Sequence, residues 1–195
     1  MHEVLRPPGL PDVLGTGAEF VMRIRALNKR VSSISADGIG SESAFVGRIE
    51  SGEIFNQAPM TCRVEGTRRW VRPGAVDAVR AEFDALLSDL SKKSGTRIEI
   101  ADWEVTGDAF QIEENDPLVS ALQKAHCSVA GRVLPVGAKP FVDDGNQFIA
   151  RAGITALTHG PAAHGAHTTQ ERVSVDELLR VARVYALTAL RFCPG

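Results

Sequence analysis

The stretch Ala44–Gly74, AFVGRIESGEIFNQAPMTCRVEGTRRWVRPG, decides the reading of the fold. "AFVGRIES" reads as a short strand. In "MTCRVEGTRRWV", Met60, Cys62, Val64 and Trp70 fall on one face, and Thr61, Arg63, Glu65, Thr67 and Arg69 on the other. That period of two predicts a half-buried strand. Gly52, Asn56 and Pro59 lie between the two segments and supply turn residues. "RPG" closes the second strand.

Working outward, "GAEFVMRIRALNKRV" sets Phe20, Ile24, Leu27 and Val31 at helical spacing. "SADGIGSES" breaks that pattern with Gly and Ser. On the other side, Val76, Val79, Phe83, Leu86, Leu87 and Leu90 form a helical stripe, which "KKSG" ends with two lysines and Gly95. "TRIEIADWEV" reads as one more strand. The first half is therefore helix, strand, strand, helix, strand: a ferredoxin-like split β-α-β pattern whose opening strand is absent.

The composition shifts at "TGDAFQIEEND". Asp116 and Pro117 predict the cap and first position of a helix that continues through Leu118, Leu122 and Ala125. "RVLPVGA" reads as a strand, 146–152 as a short helix and "ITALT" as a buried strand. Ser174 and Glu177 suit a capping box for a final helix carrying Leu178, Leu179, Ala182, Tyr185 and Leu190. The second half is α/β. The expected organisation is a tail over 1–16, one domain over 17–107 and another over 108–195.

Composition narrows the function classes. Hydrophobic residues make up 44% and charged residues 24% of the 195, the balance of a soluble globular chain. A net charge of −2 argues against a general nucleic-acid or membrane-surface binder. No apolar run approaches the roughly 18 residues of a membrane span, and the start lacks a signal-peptide pattern. Three scattered cysteines, Cys62, Cys127 and Cys193, suit a reducing cytoplasm better than a disulfide framework.

"HGPAAHGAHTTQERV", residues 159–173, holds His159, His164 and His167. Gly160, Pro161 and Gly165 make it a loop, so the three cannot act as helical metal ligands at i, i+4. Loops after buried strands of α/β domains commonly carry sites. One loop rarely supplies every ligand of a zinc ion, so spacing alone leaves surface polarity the stronger reading.

Two motifs resemble the M20 metallopeptidase and deacylase family, which includes acetylornithine deacetylase, succinyl-diaminopimelate desuccinylase, aminoacylase-1 and carboxypeptidase G2. In the lid, or dimerisation, domain of that family a strand leads to N-x-x-P and a second strand ends near D-x-R. Here Asn56 and Pro59 match, and Arg69 follows Asn56 by thirteen residues; Thr67 stands where the aspartate is usual. "DDGNQFIARAGITALTHGPAAHGAHTTQERVSVDELLRVARVYA" is similar to the family's closing segment. Asp144, Phe148, Gly153, Ile154, Gly160, Pro161, His167, Thr168 and Glu171 match, with Ala162 in place of a glycine. The resemblance runs over roughly residues 17 to 193.

The resemblance implies an α/β (α+β) fold: a lid domain lacking its first strand, then the C-terminal part of a zinc-peptidase domain. It makes His167 one ligand of a di-zinc site and assigns substrate contacts to Asn56, Arg69 and Gly160, while His159 and His164 stay loop polarity. It implies a homodimer formed through the lid and an N-acyl amino acid or small peptide with a free carboxylate as substrate. The family's H-x-D segment, catalytic Glu-Glu pair and lid histidine are not found; Glu113-Glu114 lies after the lid and reads as solvated linker. No catalytic residue is therefore assigned. The expectation is a fragment or split piece of an M20 amidohydrolase, inactive alone and complemented by an N-terminal half. The alternative is a non-catalytic dimerisation or interaction module derived from the family.

Overall fold

Asp12 opens the first long helix. Its carboxylate accepts the Gly15 amide at 3.0 Å, and α1 runs Val13–Val31. The helix thus begins inside the stretch read as a tail. Its stripe buries Ile24, Leu27 and Val31 against Ala44, with Phe20, Ile34, Val46, Phe83 and Leu86 around them. Each such side chain contributes on the order of 1.5–3 kcal/mol by leaving water. The computed structural model describes residues 2–139 and 141–193. The chain divides into two units, 1–109 and 110–195.

In the first unit, β1 (Ser35–Ala36) and β2 (Gly40–Ser41) form a small hairpin after α1. β3 (Ser43–Ser51) and β4 (Cys62–Arg69) pair antiparallel, from Ser43 opposite Arg69 to Ser51 opposite Cys62. The register slips between Val46 and Arg48, which makes Gly47 the extra residue of a bulge. Across from the bulge, a Cβ on Gly66 would come 2.1 Å from the Phe45 carbonyl oxygen, so only glycine fits. The expected alternation holds, and the side of Cys62 and Val64 faces the helices. α2 (Val76–Ser94) buries Val79 and Leu90 and ends at Gly95 in a left-handed cap, φ 69°, with Lys92 and Lys93 in its last turn.

An ionic cluster braces this hairpin. The side chains of Glu42 and Arg68 are 0% and 4% exposed and meet at 2.7 Å. Arg72 reaches the other Glu42 oxygen at 2.9 Å, and Glu82 bridges Arg68 to Arg30. Burial pushes the Glu42 carboxyl up, but the hydrogen bonds from Arg68 and Arg72 outweigh it and hold the group below the usual carboxylate range.

In the second unit, Asp116 caps α3 (Pro117–Ala130) by accepting the Leu118 amide at 2.8 Å, and Gly131 ends it in the left-handed region. α3 packs on α5 (Val175–Phe192), with Leu122, Ala125 and Val184 buried between them. α4 (Asp144–Ala152) starts with a capping box between Asp143 and Asn146.

Three expected strands are not formed among the described residues. Residues 96–105, 132–138 and 154–158 have no ladder partner among the described residues. At Leu134 the Gln123 side-chain amide takes the place of a neighbouring strand, accepting the backbone N–H and donating to the carbonyl, each at 2.8 Å. No helix among the described residues is long and apolar enough to cross a membrane. The fold is mixed α/β, with small sheets and five α-helices among the described residues.

Candidate functional site

The two lid candidates sit at opposite ends of one hairpin. Asn56 lies in the turn between β3 and β4, and Arg69 is the last residue of β4. At about 3.3 Å per residue, the eight-residue strand that lies between them in sequence is roughly 23 Å long. Arg69 pairs with Ser43 at one end of the ladder, and Asn56 lies outside it, beyond the Ser51–Cys62 end.

Sequence reasoning missed the partner of Asn56. His2 pairs with Gln57 in an isolated antiparallel bridge, and the Glu3 amide donates to the Asn56 carbonyl at 3.0 Å. The Asn56 side-chain nitrogen stands 3.3 Å from His2 Nε2. A tail reading hides this contact, because His2 and Asn56 are 54 residues apart.

Arg68 and Arg69 are neighbours with different surroundings. The pleat turns Arg68 inward, where Glu42 and Glu82 neutralise it. Arg69 points to the solvent face and has no ion-pair partner among the described residues. Its planar guanidinium is free to take a carboxylate through two parallel hydrogen bonds.

The histidine loop is built by its own backbone. His164 and Arg172 pair across its base, with N–H to carbonyl bonds of 2.9 and 3.0 Å. The Thr168 amide and hydroxyl both donate to the Gly165 carbonyl. His167 sits at the tip with φ 62°, the one non-glycine positive φ among the described residues. Its amide donates to the Glu171 carboxylate at 3.1 Å. The left-handed region costs a side-chain-bearing residue about 1–2 kcal/mol, and such strain clusters at functional positions. The imidazole is solvent-exposed.

The other two histidines differ from His167. His164 contributes backbone to the bridge. His159 is not the loop polarity expected of it: its ring packs edge-on between His126, 5.9 Å away, and Tyr185, 5.6 Å away. Gly160 is exposed, and a Cβ there would meet nothing within 4 Å, so local packing does not demand glycine at that position.

The Ser174 hydroxyl caps α5 by accepting the Glu177 amide at 3.2 Å. Glu177 does not complete the expected box. Its carboxylate accepts the Ala162 amide at 2.9 Å and pairs with Arg180. Those hydrogen bonds, Arg180 first, pull its pKa down to about 2.

A neutral imidazole is a suitable zinc donor, which fits His167 as a single ligand. Among the described residues, however, no three His, Cys, Asp or Glu side chains are arranged to hold a metal ion. Asp144, at the start of α4, and the linker residues Glu113 and Glu114 are exposed. The donors described here do not make a complete zinc site.

Comparison with known proteins identifies the family of the chain. Residues 8–191 match the family described as Peptidase family M20/M25/M40. Succinyl-diaminopimelate desuccinylase of Psychrobacter arcticus is 31% identical over 150 residues, covering 76% of this chain and 36% of that protein. N-formyl-4-amino-5-aminomethyl-2-methylpyrimidine deformylase of Halalkalibacterium halodurans is 30% identical over 86 residues, 44% of this chain and 20% of that one. Among solved structures, the aminopeptidase PepT from Bacillus cereus superposes with a TM-score of 0.76 at 18% identity, over 98% of this chain and 48% of its own. An M20 family metallo-carboxypeptidase from Sulfolobus solfataricus gives 0.57 at 13% identity, over 97% and 46%. The chain thus spans about a third of the first of these curated relatives and about half of each solved chain. A match over nearly the whole chain, with the hairpin and the histidine loop inside it, makes this protein a member of the M20/M25/M40 peptidase family.

Proposed function

We propose that this chain supplies the lid and the His167-bearing part of a zinc-dependent M20 hydrolase that cleaves amide bonds in N-acyl amino acids or small peptides with a free carboxylate. The observation that carries the reading is the loop around His167. It holds the residue in a left-handed conformation, fixes its amide on Glu171 and leaves the imidazole open to an ion. The remaining ligands and the general base come from a complementing N-terminal half.

Arg69 is the residue that holds the substrate carboxylate, since its guanidinium is exposed and free of ion pairs among the described residues. Gly160 lends backbone to the substrate-facing loop. Asn56, joined by His2, makes a separate polar contact. In a lid-mediated homodimer the two ends of one hairpin, with the length of β4 between them, serve two different sites. The exposed Phe45, on the outer face of β3, suits a lid–lid contact. A cytoplasmic location fits the three free cysteines.

Co-expression with the N-terminal half of a close homologue tests the reading. Metal-dependent release of the amino acid from N-acyl substrates is expected, with loss on chelation and recovery on adding zinc. A well-folded complex that shows no such activity toward any N-acyl amino acid or dipeptide would favour the non-catalytic module instead.

A further inference from the structure

His159 presents a chemical problem that the proposed hydrolase does not use. Among the described residues, its Nδ1 is the one buried side-chain polar atom with no hydrogen-bond partner. Two aromatic neighbours hold the ring in place. On the α3 side is His126, itself buried, with Nδ1 donating to the Arg132 carbonyl at 2.8 Å. On the α5 side is Tyr185. The same Tyr185 hydroxyl donates to the His159 carbonyl, just ahead of Gly160, and Glu177 accepts the Ala162 amide two residues later. α5 therefore grips the start of the histidine loop at two points, and the His159 ring lies between them and α3.

A neutral imidazole tolerates this slot at the cost of one idle acceptor. A protonated one does not. The ring is half-buried, but the new N–H would sit at the buried Nδ1 with no acceptor, and an unpaired charge there is more costly than a neutral ring. The surrounding charges divide. Arg180 on α5 and His126 on α3 oppose a positive ring, Glu177 on α5 favours it but is already engaged by Arg180, and Arg132 acts on Glu177. Burial comes first among the causes, and the ring is held below the ordinary imidazole range.

We infer that His159 is a proton-sensitive latch: while neutral it locks the segment that begins the 159–172 loop onto α5, and proton uptake releases that segment. Solvation of the imidazolium requires the ring to leave its slot, and the Tyr185–carbonyl bond has to break with it. The inference concerns the isolated chain and needs no complementing half.

Tyr185 is the single tyrosine, so 3-fluorotyrosine gives one fluorine NMR signal at the latch. From about pH 7.5 to about pH 5, the signal should shift with a midpoint below the ordinary imidazole value. Over the same range, amide protection at 160–172, corrected for intrinsic exchange, should fall by up to about tenfold per pH unit, the limit for one-proton coupling. His159→Phe keeps the packed ring and cannot ionise, so it should abolish both responses. Tyr185→Phe should expose the loop amides already at neutral pH while the α3 amides stay protected. Wild-type protection that does not change with pH, or an unchanged pH response in His159→Phe, overturns the latch. Unaltered loop protection in Tyr185→Phe would remove the hydroxyl from it.

Discussion

The two units satisfy their polar groups in different ways. The first unit closes on itself: β3 and β4 pair along their length, and Glu42, Arg68, Arg72, Glu82 and Arg30 neutralise one another. The second has one helix pair at its core, and side chains stitch its extended segments in place, as Gln123 does at Leu134 and Glu177 at Ala162. Both described departures from ordinary conformation and bonding, the left-handed His167 and the orphaned Nδ1 of His159, lie in the second unit. The first unit thus satisfies its polar groups largely through its own ladder and ion pairs, whereas the second depends on single side chains to hold its extended segments and its histidine loop.

The largest stability effect should come from Arg68→Ala. It leaves Glu42 buried with Arg72 alone and should cost about 3–5 kcal/mol. Both tryptophans, Trp70 and Trp103, belong to the first unit, so denaturant unfolding followed by tryptophan fluorescence reads the loss there. Arg69→Ala, one residue on, should stay within about 0.5 kcal/mol of wild type in the same measurement. Equal losses for the two variants would erase the distinction between brace and displayed group.

In the complemented enzyme, Arg69→Ala should raise KM about ten- to a hundred-fold with kcat little changed. That corresponds to losing one charge-assisted contact of about 1.5–3 kcal/mol made equally in ground and transition states. A fall in kcat at constant KM would take the substrate carboxylate away from Arg69. In the second unit, Ser174→Ala removes the α5 cap and should cost about 1 kcal/mol, read by thermal unfolding.

Acid should separate the units. His159 is held below its ordinary value of 6.5, so its contribution to stability is complete above pH 6.5 and fades as pH falls through the depressed value. Glu42 is held below its ordinary value of 4.5, so its contribution is complete above pH 4.5 and is lost only at more acid pH. The second unit should therefore soften first on acidification, as hydrogen exchange resolved by unit would show. Simultaneous softening, or loss in the first unit first, contradicts the assignment of these two groups.

The sequence made legible whatever is local. Ile24, Leu27 and Val31 mark a helix because their spacing is the helix, and Asp116, Pro117 and Gly131 mark the ends of another because caps act over a few residues. The β3–β4 alternation was equally plain. Alternation shows which face a residue takes but not which strand it meets, so residues 96–105, 132–138 and 154–158 carry a strand signal without a partner among the described residues. Among the proposed site residues, Arg69 and His167 rest on motifs that resemble the family's, since spacing alone leaves the histidines as surface polarity. The Glu42–Arg68 bond spans 26 residues, Asn56–His2 spans 54 and His159–Tyr185 spans 26, and nothing local announces such pairs.

The central claim is that the loop of the second unit presents His167, and not a neighbouring histidine, to a metal-dependent active site. Its most direct test compares His167→Ala with His164→Ala in the complemented enzyme, with activity and bound zinc measured together. His167→Ala should nearly abolish activity and lower the zinc content, since it removes a ligand. His164→Ala should leave both close to wild type, because its backbone bridge to Arg172 survives the change. If His164→Ala is the inactivating change and His167→Ala is silent, the assignment of the loop is wrong.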